Sequence, residues 1–261
     1  MRTKIRAAVI GVTIVLGLAV IGCEGKPEYG KQFQQKIDEC TKAIRLNPND
    51  AEAFYNRGIA HFGGKTHWSG CDYDKAIADF TEAIRLNPKL AKAYHYRGVV
   101  YEFKRDTDKG IADYTEAIRI DPKFVEAYYS RSQAYVNKCN PDKEIADLTE
   151  VIRLDPNHVM AYQERGLAYM GKKDYDQAIA DFTVIIRLDP HAQRYCFRGE
   201  AYQSKGDNDK AIADCTEAIR LDPTFVWAYQ IRGEVYGAKG EKSKAEADLA
   251  MVKKLHGRFR S

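Results

Sequence analysis

Proline sets the frame of this chain. Pro48, Pro88, Pro122, Pro156, Pro190 and Pro223 follow one another at spacings of 40, 34, 34, 34 and 33 residues. Several of them close a recurring string: Ala-Ile-Arg-Leu-Asn-Pro at 43–48 and 83–88, Ala-Ile-Arg-Ile-Asp-Pro at 117–122, and Ala-Ile-Arg-Leu-Asp-Pro at 218–223. A fixed period of this length restricts the chain to an array of similar supersecondary units, none of which buries its apolar face alone. Within each unit an apolar-periodic stretch leads to a turn such as Lys172-Lys173-Asp174 or Lys205-Gly206-Asp207. A second stretch of similar length, Tyr175 to Leu188 for example, ends before the proline, which cannot continue a helix. The pattern predicts helix–turn–helix units and an all-α chain.

Ten residues after most of these prolines comes a small residue: Gly58, Gly98, Ser132, Gly166 and Gly233, with Gly199 nine residues after Pro190. Small partners recur on the second helix at Ala76, Gly110, Ala178, Ala211 and Ala245, so the two helices are expected to cross closely there. Phe54, Tyr94, Tyr128, Tyr162, Tyr195 and Tyr229 form one aromatic series; Tyr101, Tyr135, Tyr169, Tyr202 and Tyr236 form another, and both are expected in the core. The third unit departs from the pattern, with Ser132 and Glu144 where the others have glycine and alanine or glycine. Two larger side chains at the crossing should push the helices apart or desolvate the Glu144 carboxylate.

These features resemble the tetratricopeptide repeat (TPR) family over residues 34–259. The resemblance implies an α-solenoid, a right-handed superhelix of helix pairs, with a half-repeat at 34–50 and six repeats at 51–90, 91–124, 125–158, 159–192, 193–225 and 226–259. One departure is itself regular: where the family commonly has leucine, this chain has Arg57, Arg97, Arg131, Arg165, Arg198 and Arg232. In register with them on the second helices stand Asp79, Asp113, Asp147, Asp181, Asp214 and Asp248. A half-buried guanidinium needs a carboxylate, so a structural ladder of Arg–Asp pairs is expected. Glu39 stands at the matching place of the half-repeat, which favours pairing between one unit and the next, Glu39 meeting Arg57.

The amino terminus carries a different signal. Arg2, Lys4 and Arg6 precede an uncharged, mostly apolar run from Ala7 to Gly22, 16 residues long. A spanning helix needs about 20 apolar residues, so the run suits a signal peptide better than a permanent anchor. It ends in Val20-Ile21-Gly22-Cys23, which resembles the lipobox of bacterial lipoproteins. The resemblance implies a signal peptide at 1–22, lipidation at Cys23, a polar tether at 23–33, and a protein lipid-anchored at the cell envelope on its extracytoplasmic side. The alternative is an uncleaved anchor with an incidental cysteine.

Without Arg2, Lys4 and Arg6 the chain holds 38 basic against 37 acidic residues, which gives no electrostatic reason for a nucleic-acid partner. No nucleophile elbow, phosphate loop or metalloprotease helix is present, so no enzyme and no cofactor are expected. With Cys23 lipidated, Cys40, Cys71, Cys139, Cys196 and Cys215 remain, an odd number in which no disulfide pair stands out. Cys40 and Cys215 take the place of Phe80, Tyr114, Phe182 and Leu249, as small core residues. An insertion at 63–71 brings His67 and Cys71 near His61, a weak metal set without a fourth ligand, and no metal is expected.

Function in such an array belongs to its concave face, lined in the family by first helices. The family spacing places Tyr55, Ile59, Phe62, Val99, Phe103, Tyr129, Val136, Leu167 and Met170 there, with His95, Glu102, Gln133 and Gln163 among them. Cys196, Glu200, Gln203, Gln230 and Glu234 make the later repeats polar. The lysine, asparagine and arginine with which some family members grip a free carboxylate are replaced by Tyr55, Ile59, His95, Val99 and Tyr129. An apolar stripe calls for a helix or extended segment of an envelope protein, so the expected role is a non-catalytic adaptor. The alternative is a homodimer or larger assembly through the last helix, whose Ala247, Leu249, Ala250, Met251, Val252 and Leu255 lack a polar cap.

Overall fold

The structure is a computed structural model, and it describes residues 27–63 and 72–258. Among them the chain is helical throughout: α1 Pro27–Leu46, α2 Ala51–Gly63, α3 Tyr73–Leu86, α4 Ala91–Phe103, α5 Thr107–Ile120, α6 Val125–Asn137, α7 Pro141–Leu154, α8 Val159–Lys172, α9 Tyr175–Leu188, α10 Ala192–Lys205, α11 Asn208–Leu221, α12 Val226–Ala238 and α13 Lys242–Arg258. The expected signal peptide, Cys23, the start of the tether, His67 and Cys71 lie outside the described residues.

Local chemistry sets the ends of these helices. Asp72, Asp106 and Asp174 cap the second helices α3, α5 and α9, each accepting a hydrogen bond from the backbone N–H three residues on. The residue before Asp106 or Asp174 takes a left-handed conformation: Arg105 at φ 61° and Lys173 at φ 63°, where the last two repeats place Gly206 and Gly240. After the second helices, Asn87, Asp121, Asp155 and Asp222 accept a hydrogen bond from the N–H two residues on, and the intervening proline prevents the helix from continuing.

The chain divides into two compact units, 1–140 and 141–261, and the division falls inside the third expected repeat. In the first unit, Phe80 and Tyr114 are sealed under Val100 and Ala134 respectively, in successive clusters along the stack. In the second, Phe182 and Ile185 pack with Phe197, and Cys196 and Cys215 with Ile231 and Val235. Alanines at the helix crossings are fully buried in both, including Ala76, Ala93, Ala178 and Ala228.

Three expectations need correction. First, α1 begins at Pro27 and so covers part of the expected tether at 23–33. Proline is pre-organised for a first helical turn, and Gln34–Asp38 and Gln35–Glu39 hydrogen bonds one turn apart support the helix. Second, most of the aromatic series are half-buried rather than sealed in the core. Their rings flank the arginines, as Tyr162 and Tyr169 flank Arg165 with its guanidinium carbon 5.7 and 6.0 Å from their centroids. Third, a Cβ added at Gly58, Gly98 or Gly166 would strike the ring of Phe80, Tyr114 or Phe182 first, so the glycines make room for a second-helix ring as much as for alanine.

Glu144 is buried, 6% exposed. At the carboxyl-terminal end Val252 and Leu255 are buried against Tyr229, which corrects the expectation of a wholly open last helix. Leu249 remains 47% exposed.

Candidate functional site

The Arg–Asp ladder exists, with a different connectivity from that expected. Arg57 pairs with Asp79, Arg97 with Asp113, Arg165 with Asp181, Arg198 with Asp214 and Arg232 with Asp248, each within its own repeat. Every one of these contacts is a two-pronged hydrogen bond from Nε and Nη2, and the aspartates are buried. The link to the preceding repeat is made by Nη1, which donates to Thr41, Thr81, Thr149, Thr183 and Thr216 in turn. Arg131 makes the same bond to Thr115. Glu39 meets Gln35 and Lys36, not Arg57. The physical reason is reach: the second helix of a repeat presents its aspartate to its own first helix, and the threonine two residues on, which points to the opposite side, to the following one. A threonine two residues after every one of these aspartates except Asp248 was readable in the sequence and is what the expectation missed.

These groups are structural. The candidate binding face lies on the first helices. In the first unit Tyr55, Ile59 and Phe62 lie on α2, Val99 and Phe103 on α4, and Tyr129 and Val136 on α6. They are more enclosed than an open apolar stripe. Val99 is buried, and Tyr55 lies edge-on to Tyr96 with centroids 5.9 Å apart. Phe62 meets Phe103 at 5.3 Å, and Phe103 stacks on Tyr73 at 6.0 Å. Successive repeats therefore interlock through these rings, leaving part of each ring exposed. In the second unit Leu167 and Met170 pack beside Phe182 in the same way.

Several residues expected on this face are instead buried. His95 has its Nε2 3.0 Å from the Ser130 hydroxyl, and burial pushes its pKa down to about 4, so the ring is neutral. Gln163 accepts a hydrogen bond from Arg194, and Gln133 and Cys196 are likewise buried. Gln203 remains on the surface, donating to Glu234 at 3.2 Å.

What the sequence did not single out is a small recess in the first unit, lined by Glu102, Tyr114, Tyr129, Ser130 and Gln133. Glu102 leans over Gly110, where a Cβ would come within 2.7 Å of its Oε1. Its Oε2 accepts hydrogen bonds from Asn137 Nδ2 at 3.1 Å and from the Thr107 hydroxyl at 3.4 Å. Its Oε1 is buried without a hydrogen-bond partner. Burial raises the Glu102 pKa, and Asp106 and Asp108 add to the rise. A buried acceptor left open costs free energy. A hydrogen-bond donor that reached this oxygen would recover that cost. Among the described residues no cluster of three or more metal-binding side chains occurs, and His61 stands 3.7 Å from Asp79.

Models of the tetratricopeptide repeat match the chain at residues 63–123, 125–158, 159–192 and 192–225. No curated protein matches it. Among solved structures, MamA protein is 27% identical, with 66% of this chain and 94% of that one covered at a TM-score of 0.62. YrrB, described as a TPR protein with an unusual peptide-binding site, is 24% identical over 74% of this chain and 97% of its own, at 0.64. The C-terminal part of a TPR repeat-containing protein from Cytophaga hutchinsonii is 20% identical over 87% and 94%, at 0.71. The last two likenesses show the α-solenoid fold alone.

Proposed function

Because the chain belongs to the tetratricopeptide repeat family, whose stacked repeats build extended binding surfaces, we propose that it is a non-catalytic adaptor that holds a peptide or helix segment of another protein against its first helices. The observation that carries this reading is the buried, unpartnered Oε1 of Glu102 beside half-exposed Phe103 and Tyr129. A segment with a lysine or arginine flanked by apolar residues satisfies both surfaces at once. The cation completes Glu102, and the apolar flanks cover the ring edges of Tyr55, Phe62 and Phe103. Phe103→Glu places a charge among those rings and should abolish capture of the partner with the fold kept. Undiminished capture by that variant would contradict the reading.

Tethering is a second part of the proposal. The Val20-Ile21-Gly22-Cys23 string, after a short apolar run with a basic start, supports lipidation of Cys23 and an extracytoplasmic location at the envelope. Cys23→Ala should then lose acyl labelling and accumulate as precursor; normal processing and membrane retention of that variant would count against it.

A rival reading, self-association through the carboxyl-terminal end, has one observation in its favour. Leu249 is 47% exposed, whereas its equivalents Phe80, Tyr114, Leu148, Phe182 and Cys215 are all sealed. If that end pairs, sedimentation should show an oligomer that Leu249→Lys converts to a monomer. A monomeric wild type leaves the adaptor reading alone.

A further inference from the structure

The fifth repeat carries two thiols where the first two repeats carry rings. The position of Cys196 on α10 is held by Tyr55 in the first repeat and His95 in the second, and that of Cys215 on α11 by Phe80 and Tyr114. Those pairs touch: Tyr55 and Phe80 have ring centroids 6.0 Å apart, and His95 and Tyr114 5.7 Å. The same register brings Cys196 on α10 and Cys215 on α11 into one side-chain cluster. Both are fully buried in one cluster with Ala192, Ala211, Ala218, Ile231 and Val235. One turn along α10, the Cys215 sulfur lies 3.2 Å from where a Cβ on Gly199 would stand, so the two helices approach closely here.

Both cysteines are free thiols in this state. We propose that they form an intramolecular disulfide that staples α10 to α11 when the protein meets a small-molecule disulfide oxidant such as oxidised glutathione. One cysteine thiolate attacks a sulfur of the oxidant, expelling one glutathione thiolate and leaving a mixed disulfide. The other cysteine thiolate then attacks the protein sulfur of that mixed disulfide and expels the second glutathione. Two protein thiols thus give up two protons and two electrons, and one oxidised glutathione becomes two reduced ones. A buried, protonated thiol is a poor nucleophile, so exchange proceeds while the repeat is open, during folding or local unfolding. The core has no room for the mixed disulfide, and closing the bond restores the packed pair. Because each repeat of an array contributes its own stability, the bond acts on the fifth repeat first. This inference stands whether or not the chain is exported; the compartment decides only how often the bond forms.

The test is to refold the urea-unfolded protein with oxidised glutathione, block remaining thiols under denaturing conditions, and digest with trypsin. The expected product joins the peptide Tyr195–Arg198 to the peptide Ala211–Arg220, and reduction separates them. The oxidised protein should melt about 5 °C above the reduced one, a gap that Cys215→Ser and Cys196→Ala remove. Free Cys196 and Cys215 after oxidative refolding, or their bonding to Cys71 or Cys139, would overturn the assignment. So would a melting gap that persists in both variants.

Discussion

Arg165 grips Asp181 with two parallel hydrogen bonds, Nε to Oδ2 at 2.9 Å and Nη2 to Oδ1 at 2.7 Å, while its Nη1 reaches Thr149 of the preceding repeat at 3.0 Å. The Thr149 hydroxyl in turn donates to the Ile145 carbonyl at 2.7 Å, so its free lone pair faces the guanidinium. One arginine therefore ties together the two helices of its repeat and the helix before them.

The two partners should respond unequally to removal. Asp181→Leu strands a guanidinium that cannot lose its charge and should cost about 3–4 kcal/mol. Arg165→Leu leaves a carboxylate that burial already holds above its usual pKa range, so it escapes by taking a proton, at about 2 kcal/mol. Such a carboxyl binds its proton more tightly folded than unfolded, so the stability of Arg165→Leu should fall further as pH rises through its folded pKa. Urea unfolding of both variants checks the order; equal losses contradict it.

The glycines sort by what covers them. A Cβ at Gly166 would lie 2.6 Å from the Cε1 of fully buried Phe182, a ring with nowhere to move. At Gly199 the nearest atom is the Cys215 sulfur at 3.2 Å. Gly166→Ala should cost about 2 kcal/mol through overpacking. Gly199→Ala should lie within about 1 kcal/mol of wild type, helix propensity offsetting a small displacement. Thermal melts of the two variants decide it, and a milder Gly166→Ala would refute the packing argument.

Much of this architecture was legible in sequence because it repeats. Proline spacing, the Gly58-type residues and the Arg57 and Asp79 registers each recur, so helix pairing follows from patterns that no single repeat would establish. What was not legible depended on which neighbour lies within reach. Arg57 takes Asp79 of its own repeat and only a threonine of the one before, a choice set by helix rotation that composition does not reveal. Cys196 and Cys215 looked unpaired because one was assigned to the surface, whereas both lie in one buried cluster. The Glu102 recess was hidden for a similar reason: Gly110 there read as a crossing glycine, and its missing Cβ is also what lets Glu102 lie down.

His95 gives the protein an acid-sensitive joint. Its pKa is about 4 in the fold against about 6.5 in an unfolded chain, so between these values the unfolded state binds more protons. The contribution of neutral His95 is complete above about pH 6.5 and is lost as pH falls towards 4, about 3 kcal/mol in all. His95→Gln, which installs the residue found at 163 and 230, should flatten the stability curve over that window. A variant as acid-sensitive as wild type would remove His95 from the account.

The central claim is that the face around Glu102 receives a cationic segment of a partner. Selection of a random-peptide display library on the purified protein tests it directly. The selected peptides should share a lysine or arginine beside apolar residues, and their affinity should fall at least about tenfold on Glu102→Gln, the loss of one charge-assisted hydrogen bond. Peptides without a shared cation, or ones that bind Glu102→Gln and Phe103→Glu as tightly as wild type, would contradict it.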